Sequence, residues 1–62
     1  MTLEEVLNAL KPLTRIMIYR EDLILFQGFI DDLPFRILNS SRNDQVSLSL
    51  RTPCIAIEIL PE

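Results

Sequence analysis

The sequence predicts an α+β fold, with an N-terminal helix packed on a four-stranded antiparallel sheet made of two hairpins joined by a short helix. Three observations carry this. Residues 2–10 have an amphipathic helical period opened by a capping pattern; "QVSLSL" and "CIAIEIL" alternate apolar and polar residues; and two β-rich stretches, "TRIMIY" and "LILFQGFI", are separated by a short charged turn. A chain of 62 residues holds one domain at most, so 1–62 is read as a single small domain.

The elements follow in order. In "TLEE" (2–5), Thr2 is placed to cap a helix and Glu5, three residues on, to bond back to it. Leu3, Val6, Leu7 and Leu10 form one apolar stripe, and Pro12 ends the helix by forcing Lys11 out of helical angles. So short a helix is unstable alone in water and must dock on a sheet. "TRIMIY" (14–19) is a strand with Ile16 and Ile18 inward and Arg15, Met17 and Tyr19 outward. After the polar turn "REDL", "LILFQGFI" (23–30) is a second strand, nearly continuous in its apolarity. Its more even assignment puts Ile24, Phe26, Gly28 and Ile30 inward, with the only glycine marking a bulge, bend or close backbone approach.

A helical turn is expected from about Pro34 to Leu38, then a polar loop, "NSSRND" (39–44). The strands 45–50 and 54–60 point Val46, Leu48, Leu50, Ile55, Ile57 and Ile59 inward, with "RTP" as the turn of a second hairpin. Strong curling of such a sheet would make a small SH3-like open barrel, and the sequence leaves flat and curled forms, and the strand order, open.

Composition excludes several function classes. Cys54 is the only cysteine and histidine is absent, so an intrachain disulfide is impossible and no zinc-type ligand set forms within one chain. No cofactor is expected: one glycine cannot build a phosphate-cradling loop. The net charge of −3 argues against nucleic acid, whose binding rests on neutralising phosphates. The runs "IMIY" and "LILF" are too short to span a bilayer, the N-terminus is acidic where a signal peptide is basic, and the lone cysteine fits a reducing compartment. These features point to a cytoplasmic protein.

The order of strands and turns resembles small uncharacterised proteins of Gram-positive bacteria and their prophages and mobile elements. In those proteins an aliphatic-aromatic-x-Gly strand end leads to an Asp-Leu-Pro helix start, matched here by Leu25, Phe26 and Gly28 and then Asp32, Leu33 and Pro34. The chain departs from them in having no glycine in its first hairpin turn. The resemblance implies a fold and a genomic context; it implies no activity.

The adjacent carboxylates Asp31 and Asp32 invite a metal reading, but Mg²⁺ or Ca²⁺ needs several converging oxygens. A helix start, where carboxylates meet unpaired N–H groups, explains them better, and which of the two makes the cap is open. Cys54 and Ser40, Ser41, Ser47 and Ser49 have no histidine base to make them nucleophiles. Glu21 and Asp22 read as a solvated turn. No enzymatic activity is expected.

The remaining candidate is the sheet face turned away from the helix. It should present Arg15, Met17, Tyr19, Ser47, Ser49, Arg51, Cys54, Ala56 and Glu58, with Leu25 at its margin. Tyr, Met and Arg are enriched at protein interfaces. Small domains also gain stability by associating. The expected function is a non-enzymatic interaction module that binds itself or another protein through this face, chiefly Arg15, Met17, Tyr19, Arg51, Ala56 and Glu58, or through an exposed strand edge. The alternative is a nucleic-acid-binding small barrel using Arg15, Arg36, Arg42 and Arg51.

Overall fold

Thr2 opens the first helix in the way its spacing to Glu5 requires. A computed structural model describes residues 1–61, with helix α1 at Leu3–Ala9, strands β1 at Arg15–Arg20 and β2 at Leu23–Phe29, and a 3-10 turn at Ile30–Asp32. Helix α2 (Phe35–Ser41) and strands β3 (Val46–Arg51) and β4 (Cys54–Ile59) follow. The Glu5 N–H donates to Thr2 Oγ1 at 3.3 Å, and the Thr2 N–H donates to Glu5 Oε1 at 2.9 Å. The Glu5 carboxyl is held below its usual pKa first by the Thr2 backbone N–H and second by the Thr2 hydroxyl, which donates to Glu5 Oε1 at 3.1 Å. The next free N–H groups, of Leu3 and Glu4, donate to the carbonyls of Asp44 and Arg42 at 3.0 and 3.1 Å. The loop before β3 thus completes the helix start.

Both hairpins are antiparallel, as their short connections demand. They join through β1 and β4, however, and these run parallel, with Ile16 opposite Ile55 and Ile18 opposite Ile57. The strand order is β2-β1-β4-β3. The α+β class with its N-terminal helix holds, but the sheet is mixed with an antiparallel majority rather than wholly antiparallel, and it is open, with β2 and β3 as its edges, and not a closed barrel. The cause is the connection between the hairpins. Residues 30–45 are long enough, with their 3-10 turn and helix, to carry the chain from one end of the sheet back to the other. β3 consequently runs in the direction of β2, and β4 in that of β1.

One layer of helix covers one face. Leu3, Val6 and Leu7 of α1 form the core with Ile16, Ile18, Val46, Ile57 and Ile59, and Leu33 and Leu38 pack against the same cluster. Strand β2 departs from simple alternation. Ile18 faces Phe26 but Tyr19 faces Ile24, so Leu25 is an extra, bulged residue. Beyond the bulge every side chain changes face: Phe26 and Gly28 stay inward as expected, whereas Ile24 is exposed on the other side. Leu25, expected at the margin of the outward face, packs partly on the core, and so does Ile30, which has left the strand for the 3-10 turn. Gly28 answers to a close approach: at φ +152°, a Cβ there would stand 3.3 Å from the tip of the Phe26 ring.

The middle of the chain needs two corrections. Asp31 and Asp32 lie exposed in the 3-10 turn, and neither caps α2, whose N-cap is Pro34 with no side-chain bond. Leu33, barred from helical angles by the proline after it, and Pro34 are both extended, which separates the aspartates from the helix. The helix then runs on to Ser41, into what reads as a polar loop: Ser40 Oγ donates to the Ile37 carbonyl at 3.1 Å and Ser41 is buried.

Candidate functional site

The strand registers lay out the outward face as cross-strand rows. One row is Ile24–Tyr19–Glu58–Ser47, and the next is Gln27–Met17–Ala56–Ser49. A third brings Phe29 beside Arg15 and Arg51 beside Cys54. All six residues singled out from the sequence therefore lie on one face, together with Ser47, Ser49 and Cys54. They are not equally available. Ala56, on the central strand between Met17 and Ser49, is 1% exposed, so it forms the floor of the face and cannot itself meet a partner. Met17, Tyr19 and Glu58 are half-buried; Arg15 and Arg51 are exposed.

Two contributors were hidden from sequence reasoning. The bulge brings Ile24, 54% exposed, onto the end of the Tyr19 row. Phe29 packs under Arg15, whose guanidinium carbon stands 5.1 Å from the ring centroid. This cation–π contact holds the long side chain along the face and so restricts its rotamer freedom. A double aromatic or aliphatic run such as "LILF" is the signal that a strand has apolar residues for both faces.

The five arginines do not gather into one patch. Arg15 and Arg51 are on the outward face; α2, which carries Arg36, packs on the opposite side. Arg20 is paired with Asp44 at 2.9 Å. Arg42 Nε is 3.5 Å from Glu4 Oε2, a charge contact without hydrogen-bond geometry that leaves this buried Nε without a hydrogen-bond partner among the described residues. Cys54, Arg15, Gln27, Phe29 and Pro53 line a shallow hollow of about 180 Å³. A larger one of about 410 Å³ is walled by the Arg20–Asp44 pair with Leu60 and Pro61. Among the described residues no three His, Cys, Asp or Glu side chains converge as a metal site. No helix is long and apolar enough to cross a membrane.

The second exposed apolar region is at the β3 edge. Leu48 and Leu50 face the helix side, opposite Ile57 and Ile55, as their alternation predicts, yet they are 44% and 79% exposed rather than buried. The reason is the placement of α1. It begins beside β3, where Thr2 bridges Gln45, and hands the chain over to β1 at the opposite end of the sheet, where the Thr14 carbonyl accepts from the Ile30 N–H. A helix of seven residues is about 10 Å long and covers only its own diagonal. The far half of β3 lies outside it.

No protein-family model, curated protein or solved structure matches the chain.

Proposed function

We propose that this protein is a non-enzymatic interaction module that works by associating with itself or with another protein through the outward sheet face and the neighbouring β3 edge. The observation that supports this best is the pair of exposed apolar leucines on an unprotected edge strand, Leu48 and Leu50, next to a face that holds Arg15, Met17, Tyr19, Arg51 and Glu58. In a domain this small, burying two such side chains matters: each is worth about 1.5–3 kcal/mol when fully removed from water. A cytoplasmic setting fits the acidic N-terminus and single thiol. A prophage or mobile-element origin is the genomic context that fits the resemblance noted above.

The test is association measured two ways. Light scattering over a wide concentration range reads self-association, and capture on immobilised protein, compared with Tyr19→Ala and Leu50→Lys as baits, reads binding to other proteins. The proposal expects one of the two signals to be present and to fall in at least one variant. A chain that stays monomeric throughout and captures nothing that the variants fail to capture overturns it.

A further inference from the structure

The backbone bonds near Gln45 reveal which groups of β3 are unused. The Gln45 carbonyl accepts from the Leu60 N–H at 2.9 Å, so it faces β4. The Val46 N–H instead donates outward, to the Met1 carbonyl at 3.0 Å. These directions alternate along an antiparallel strand. Ser47, Ser49 and Arg51 therefore bond inward to β4, while Leu48 and Leu50 turn their N–H and C=O groups to the open edge. Met1 already occupies the Val46 position, so the free stretch starts at Leu48.

We infer that the partner of this edge is a second copy of the chain, with β3 pairing antiparallel to its own symmetry mate about a two-fold axis through Ser49. This rests on the proposed function above and names the partner and the register. In this register Leu48 stands opposite Leu50 of the second copy and Leu50 opposite its Leu48. Both are edge-facing residues, so each pair exchanges its N–H···O bonds, and Met1 stays in place. Centring the axis on Leu48 instead would set Val46 against Leu50 and displace Met1.

Both faces of the joined sheet fit the same register. On the helix side, the row Ile57–Leu48 continues into Leu50 and Ile55 of the second copy, so the exposed leucines gain apolar neighbours. On the outward side, Arg51 of one copy stands opposite Ser47 of the other, and Ser47 stands beside Glu58. Serine is short enough for the arginine to reach across it to the glutamate. Neither Arg51 nor Glu58 has an ion-pair partner among the described residues, and the two-fold axis makes the contact twice. Charge complementarity of this kind is what selects a copy of the same chain over an arbitrary strand. The edge itself has no lysine, proline or bulge to prevent pairing.

The experiment uses the full chain with Cys54→Ser and a single new cysteine. Ser49 lies on the axis in a pair without hydrogen bonds, where Cα atoms are about 4.5 Å apart, within disulfide range. Under mild oxidation Ser49→Cys should give a covalent dimer, while Ser47→Cys, which faces Arg51 of the other copy, should not. In light scattering Leu50→Lys should raise the dissociation constant at least about tenfold with an unchanged circular dichroism spectrum. Arg51→Glu and Glu58→Arg should each weaken the dimer, and together restore it. A dimer that ignores these substitutions, or that links equally well through position 47, overturns the inference and leaves the interaction role standing. So does a monomer that still captures another protein. A monomer that captures nothing overturns both.

Discussion

The two edges of this sheet are built differently. β2 is bulged at Leu25, follows the acidic turn Glu21–Asp22, and gives way at Phe29 to a 3-10 turn bearing Asp31 and Asp32. β3 keeps an unbroken register of six pairs and holds no charge until Arg51. Bulges and flanking charges are the common means of keeping a sheet edge from pairing with another chain. Both edges carry charges only at their ends, Asp44 and Arg51 in the case of β3, but the β2 edge has a bulge and β3 has none. The contrast shows where a second strand could add with least hindrance, and it is the edge to which the proposed interaction is assigned.

Substitutions test this difference between the edges. The largest effect is expected between the edges, where Ile57 is fully buried: Ile57→Ala should lower stability by about 2–5 kcal/mol in urea denaturation and leave little folded protein. On the protected edge, Gly28→Ala should lower stability by about 1–3 kcal/mol, because alanine is strained at φ +152° and its methyl meets the Phe26 ring; a thermal melt reads this. Next to the open edge, Thr2→Ala should lower stability by about 1 kcal/mol through loss of the helix cap. Its partner Glu5 has a lowered folded pKa, so its contribution is fully present above the unfolded value and is lost as pH falls through the folded one. Stability curves of wild type and Glu5→Gln should therefore differ at neutral pH and converge in acid. The smallest effect belongs to the turn ahead of β2: Glu21 sits at φ 55°, and Glu21→Asn should raise stability by about 0.5 kcal/mol.

Much of this molecule was legible from local signals. The capping box of Thr2 and Glu5, the inward Ile16, Ile18, Ile57 and Ile59, and the two hairpins each depend on residues close in sequence. What was not legible depends on distant parts. The parallel pairing of β1 with β4 is decided by how far residues 30–45 carry the chain, and no periodicity records that. The exposure of Leu48 and Leu50 is decided by where α1 runs; their alternation is identical to that of buried residues. The outward face was legible as a set, since period-two alternation assigns Arg15, Met17, Tyr19, Arg51, Ala56 and Glu58 together. Which of them can reach a partner was not, because Ala56 is covered by its neighbours across two strands. The flip of Ile24 follows from the Leu25 bulge, which an unbroken apolar run conceals.

The parallel pairing at the sheet's centre has a consequence for how the chain comes to be folded. Ile16 and Ile55, and Ile18 and Ile57, are about 40 residues apart in sequence, and they form the middle of the core. A nascent chain that has emerged only as far as β3 lacks the strand that joins its two halves within the sheet. Its first hairpin pairs Ile16 and Ile18 with Gly28 and Phe26 but lacks Ile55 and Ile57 on their other side, and its third strand lacks Ile59 opposite Val46. Native structure must wait for β4, the last strand of this sheet to be made, which then closes both halves at once. Loop closure over such a distance precedes any gain from contact, so this domain should fold more slowly than a helical chain of equal length.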